Sequence, residues 1–289
     1  MDIPVSSWQL NFIRGLTQIT LIIPVIIWKQ LELFGPPDKI VRLKILVLVC
    51  SSGSMLMCNF EGIHRLSFGD YNALAYSSPV FTMLLSIILL REHFGLFRAF
   101  ICVALMLGVV FISRPSSLFP ENVKSNDKLD QLSMKNSTDA LGVVLTLAGA
   151  VLSALVTIIV KQISHLPLAV QLFWFALGSL TISTAGMLLV DSEPKFALWT
   201  GHVWVLAIGQ SLLSLLGGFL LFLSLRVISP THNKIIRKFQ VIAAYIIQVA
   251  AFHTVPHILD YFGALFIIFA VLAVIMEDKI TSWINCRYF

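Results

Sequence analysis

The sequence predicts an all-α membrane protein crossing the bilayer about nine times, and three observations predict it. Its 289 residues are 57% hydrophobic and 12% charged, with a mean hydropathy of +0.89, whereas soluble domains are about a quarter charged. The apolar residues come in runs of about 20, enough helix to cross a hydrocarbon layer roughly 30 Å thick. Lys and Arg gather in alternate links between those runs, the bias that orients helices in a membrane.

The expected spans run over Trp8–Trp28, Ile45–Ile63, Tyr71–Leu90, Phe97–Ser113, Ala140–Val160, Leu166–Val190, Val203–Leu225, Ile235–Phe252 and Ile258–Met276. The polar stretch before the first carries no basic region followed by a short apolar segment and cleavage site, so it does not read as a secretory signal. Most links are short and force neighbouring helices antiparallel. The exception is the polar stretch from Arg114 to Asp139, which divides the chain into four spans and five. Thirteen of the 20 Lys and Arg fall on one set of alternate links, six on the other, and Arg14 within a span. The amino terminus is therefore expected outside or in a lumen and the carboxyl terminus in the cytosol. The sequon Asn136-Ser137-Thr138 falls in a link placed outside, in agreement.

Formal charge is +5, yet the basic residues form no patch with interleaved aromatics, which argues against nucleic acid as a partner. Cys50, Cys58 and Cys102 lie in apolar runs and Cys286 in the tail, without metal or disulfide spacing. No phosphate-binding glycine loop, HExxH, GxSxG or CxxC occurs, so neither enzymatic activity nor a cofactor is expected.

Residues 45–113 and 207–275 share a layout at an offset of 162, with Phe60 matching Phe222, Ser67 matching Ser229 and Gly108 matching Ala270. Their flanking charges are swapped. Arg91 and Arg98 follow the second helix of the first copy, while Arg226, Lys234, Arg237 and Lys238 crowd the first loop of the second. Related units with opposite flanking charge describe an inverted-topology repeat, an architecture of secondary transporters.

Ala73-Leu-Ala-Tyr-Ser-Ser-Pro79-Val-Phe81, then Leu89-Leu-Arg-Glu92, then Ala104-Leu-Met-Leu-Gly108-Val-Val resemble the EamA repeat of the drug/metabolite transporter superfamily. Phe239-Gln-Val-Ile-Ala243 through Ala251-Phe-His-Thr-Val-Pro256 and Gly263-Ala-Leu resemble it a second time, and the chain looks most like the G-type members of solute carrier family 35. The resemblance implies a ten-helix inverted-repeat (5+5) EamA/DMT fold with its first helix absent here. Residues 1–114 would form the first repeat, 115–139 a polar loop, 140–276 the second repeat and 277–289 a cytosolic tail. It also implies a secondary carrier of small polar metabolites, an organic anion or nucleotide-linked solute, with a non-transporting adaptor for other membrane proteins or an inactive truncated carrier as alternatives. The pattern departs from the family where Thr254 stands opposite Glu92 and where Gln240 replaces an expected acidic residue.

Polar residues stranded in apolar helices are the candidates for binding such a solute, because burying them is expensive. Arg14 lies about one turn into the first span. Asn59 ends the second; Asn72, Tyr76 and Pro79 recur at helical spacing in the third. In the eighth span the strictly apolar part, Phe239–Phe252, is about 21 Å long as helix, so Arg237 and Lys238 either sit at depth or reach back to the interface. Gln240 and Gln248 follow, eight residues apart. The substrate-binding candidates are thus Arg14, Asn59, Asn72, Tyr76, Arg237, Lys238, Gln240 and Gln248. The expected partners are the lipid bilayer and a small-molecule substrate, with room for a homodimer or a membrane-protein partner. No retention signal ends at Phe289, so plasma membrane, Golgi and endoplasmic reticulum are all admitted.

The orientation is checked by tagging each end of the 289-residue chain. Antibody access in unpermeabilised vesicles should place the two tags on opposite faces; finding both on one face would contradict the charge reading.

Overall fold

The computed structural model describes residues 6–34, 38–66, 68–90, 96–113, 140–189, 196, 199–237, 239, 240, 243, 261–273 and 276. Among them there is no strand. The helices are α1 (Ser7–Trp28), α2 (Lys39–Arg65), α3 (Phe68–Ala75), α4 (Ser78–Leu90), α5 (Leu96–Ser113), α6 (Ala140–Gln162), α7 (Leu168–Leu189), α8 (Gly201–Val227), α9 (Pro230–Arg237) and α10 (Tyr261–Ala273). Six helical stretches are long and apolar enough to span a membrane: α1, α2, Asp70–Leu90, α6, α7 and α8. The protein is an all-α, multi-pass membrane protein, since lipid supplies no hydrogen-bond partner and only internally bonded backbone can cross it.

The chain packs as two compact units. The first is Met1–Glu61 with Val151–Ser229, and the second is Gly62–Ala150 with Pro230–Phe289. Each draws on both halves of the sequence, so compactness follows a different division from the expected repeats at 1–114 and 140–276.

In the first unit α1 packs against α7 and α8. Its amino end is capped by Ser6, whose hydroxyl accepts the Trp8 amide at 3.3 Å. Its carboxyl end closes with amides of Gln30 and Leu31 donating to the carbonyls of Ile27 and Ile26, both at 3.1 Å. That closure needs a left-handed residue, and Gln30 takes it at φ 48°, a place where glycine is usual. The core joins Ile22 and Ile26 of α1, Ile45 and Leu48 of α2, Val160 of α6, Leu172 of α7 and Phe222 of α8.

Small residues set the helix separations. A side chain on Gly178 would strike the Ser52 hydroxyl and the Val49 carbonyl, so α2 and α7 lie nearly backbone to backbone. Ser52 uses this closeness to donate to the Phe175 carbonyl at 3.2 Å. Gly186 leaves room for the Trp8 ring, and Gly15 for Leu180. The Gly217-Gly218 pair divides: Gly218 lies against Leu172, whereas Gly217 faces open space.

In the second unit, α4 packs against α9 and α3 against α5. Its core gathers Met83, Ile101, Leu105, Val109, Ile235 and Ile267. Gly108 lets the Gly263 carbonyl approach, and Phe100 and Phe111 pack on Phe269 and Phe266. The predicted third span is not one continuous helix. It breaks at Tyr76 and Ser77, because Pro79 has no amide to donate and disfavours helical geometry in the residue before it. At the break both the amide and the hydroxyl of Ser77 donate to the Leu74 carbonyl, at 3.1 and 2.6 Å.

Gly178→Val should lower the stability of the purified protein by about 1–3 kcal/mol, while Gly217→Ala should be neutral or gain up to about 1 kcal/mol from helix propensity. Thermal unfolding in detergent compares the two; equal losses would refute the assigned close contact.

Candidate functional site

Many polar residues in the first unit are committed to backbone. Gln171, fully enclosed, donates through Nε2 to the carbonyls of Ile163 and Leu166 at 3.0 and 2.9 Å. Arg226 donates to the same Leu166 carbonyl at 2.6 Å. Lys161 reaches the Ile228 carbonyl at 3.1 Å, and the Trp174 indole the Leu33 carbonyl at 2.8 Å. These side chains satisfy carbonyls left over where helices end.

The second unit contains a different arrangement in α9. Ser229 and Pro230 open this helix with residue types suited to its cap and first position. The next four residues, Thr231, His232, Asn233 and Lys234, are all buried, Lys234 at 6% exposure. One helical turn thus places a hydroxyl, an imidazole, an amide and an ammonium inside a unit whose core is aliphatic. The helix is held there by Ile235, which packs with Met83 and Ile101. On α4, Ser78, Thr82 and Ser86 recur every fourth residue and are buried, with Thr82 donating to the Ser78 carbonyl at 2.8 Å.

Of the sequence-based candidates, the structure brings the side chains of Tyr76 and Gln240 within reach of one another. Tyr76 is half-buried at the break between α3 and α4, and the Gln240 residue as a whole is exposed. The Tyr76 amide donates to the Asn72 carbonyl at 2.9 Å, so these two keep the spacing of one helical turn, and the interruption falls between Tyr76 and Pro79. Asn72 is half-buried in α3. Arg237 ends α9 with an exposed side chain. Arg14 and Asn59, both half-buried, belong to the first unit on α1 and α2. Lys238 and Gln248 lie outside the described residues, as do Glu92 and Thr254.

Sequence reasoning assigned Lys234 to a basic loop and missed the buried turn preceding Arg237. The available signals were Ser229-Pro230, which begins a helix, and a following apolar run too short to span the membrane. A second omission lies on α1, where Gln9, Asn11 and Gln18 are buried at 2%, 1% and 3% exposure.

Residues 3–114 match the family model for the EamA-like transporter family. The mouse protein named Solute carrier family 35 member G1 is 24% identical over 91% of this chain and 69% of its own length. Its human namesake is 23% identical over 91% and 70%. Residues 3–114 are thus similar to EamA-like transporters, and the chain as a whole is similar to G-type members of solute carrier family 35. A solved structure described only as "Crystal structure of protein" shares the fold, with a TM-score of 0.75 and 12% identity over 96% of this chain and 89% of that one.

The Tyr76–Gln240 pair should show a coupling energy of about 1 kcal/mol in a double-mutant cycle with Tyr76→Phe and Gln240→Leu. Chemical unfolding of the four proteins measures it; additive effects would contradict the pairing.

Proposed function

We propose that the transporter moves a small anionic metabolite, an organic acid or a nucleotide-linked solute, and that the buried turn of α9 is where it grips the anion. The observation carrying this reading is Lys234, an ammonium at 6% exposure within a turn that also buries Thr231, His232 and Asn233. A cation kept out of water in a membrane protein is costly and marks functional positions. Lysine offers a phosphate or carboxylate a compact charge with three donors, while Arg237 at the end of the same helix supplies a planar fork. Tyr76 and Gln240 add neutral polar groups able to orient a substrate.

Alternating access of two inverted repeats around such a turn is the expected transport mode. With Lys238 included, the basic residues form the sequence Lys234, Arg237, Lys238, which favours anions over cations.

Proteoliposomes containing the purified protein should show saturable uptake of labelled organic acids or nucleotide sugars. Lys234→Gln should reduce that flux about tenfold or more, the scale of losing a charged hydrogen bond, and the double change Arg237→Gln with Lys238→Gln should also reduce it. Unchanged flux in Lys234→Gln, or no saturable flux for any anion, would defeat the reading.

A further inference from the structure

The first unit holds a second polar concentration that is not spent on helix ends. Asn11, Arg14 and Gln18 lie at i, i+3 and i+7 on α1, hence on one stripe of the helix. Two contacts place that stripe against α7: Gly15 meets Leu180, and Trp8 meets Gly186. These contacts run antiparallel, so Asn11 lies at the level of Ser183, itself fully buried. A third contact fixes α8. Gln18 donates through Nε2 to the Ser214 hydroxyl at 3.3 Å, while Ile13 shares a cluster with Ala207. Those two helices run parallel there, placing buried Ser211 between the levels of Arg14 and Gln18.

The chemistry of this seam is unbalanced. Asn11 is 1% exposed and neither polar atom of its amide has a hydrogen-bond partner. The Nε of Arg14 is likewise enclosed without a partner. Orphaned buried groups of this kind call for an explanation, because each one forfeits the hydrogen bonds it had in water. The three helices that form the seam, α1, α7 and α8, contain no Asp or Glu along their described length. Ser214 also lines a recess of about 740 Å³ on α8, together with Gly209 and Gln210.

We propose that the α1–α7–α8 seam is an oxyanion site, in which Arg14 and Asn11 bind a carboxylate or phosphate group. The guanidinium supplies charge and a planar pair of donors. The Asn11 amide donates to a second oxygen, and Gln18, held by Ser214, bounds the site below. This site is separate from the α9 turn and stands whether or not that turn binds the transported solute.

Thermal unfolding of the purified protein in phosphate-free maltoside detergent tests it, with inorganic phosphate, succinate and short-chain phosphatidic acid as three probes and sodium chloride at equal ionic strength as control. At least one oxyanion should raise Tm by about 5 °C when saturating. Succinate or inorganic phosphate acting alone identifies a soluble ligand, and phosphatidic acid acting alone identifies a lipid headgroup. The shift should vanish in Arg14→Gln, fall in Asn11→Leu, survive partly in Arg14→Lys, and persist in Lys234→Gln. If Arg14→Gln fails to fold, Asn11→Leu carries the same readout. A shift that disappears in Lys234→Gln but survives in Arg14→Gln assigns the anion to α9 and overturns the proposal, as does the absence of any shift beyond sodium chloride.

Discussion

Inside a bilayer a hydrogen-bonding group finds a partner within the protein or goes without, and a charge finds compensation or is not buried at all. The helix ends of the first unit show how closely this is observed. Gln171 and Arg226 converge on the Leu166 carbonyl, and Lys161 covers that of Ile228. Serines and threonines inside the helices bond back to carbonyls one turn earlier, as Ser183 does to Ser179 at 2.7 Å and Ser211 to Ala207 at 2.7 Å. Lys161 and Arg226, which by sequence serve only to orient the spans, thereby also close the ends of helices.

Against that background the exceptions become informative. Polar residues absorbed by helix ends or by back-bonding need no ligand to account for them. The α1 stripe is not absorbed in this way, since it leaves the Asn11 amide without partners, and the α9 turn stands out for burying four polar residues in succession. The α1 stripe lies where Gly15 and Gly186 bring α1 and α7 close together. Close approach excludes water and strengthens electrostatic interactions that remain, so the packing that holds the helices together also sharpens any ion contact between them.

The candidate residues divided according to how their position was inferred. Tyr76 and Gln240, 164 positions apart in sequence, were chosen separately as polar groups in apolar runs, and the fold joins them. Asn72, Tyr76 and Pro79 were grouped by helical periodicity; the first two remain bonded as one turn, and the break falls before Pro79. Lys234 was counted among the basic residues before the eighth span, and its burial at 6% exposure was not foreseen, because hydropathy averages over a window and does not report which residues of a short polar helix turn inward. Asn11 and Gln18 were passed over for a related reason: isolated amides in an apolar run are common, and only knowledge of their neighbours separates a satisfied amide from an orphaned one.

Composition and the length of apolar runs were enough to determine an all-α membrane protein, because the thickness of lipid and the cost of exposing backbone to it act on every residue alike. The EamA resemblance was legible for the same reason: small residues and prolines at helix contacts leave a recurring pattern along the chain. Tertiary structure alone decided which helices share a compact unit, where the third span breaks, and which polar side chains lack partners. Those outcomes depend on contacts between residues far apart in sequence, and no local window contains both members of such a contact.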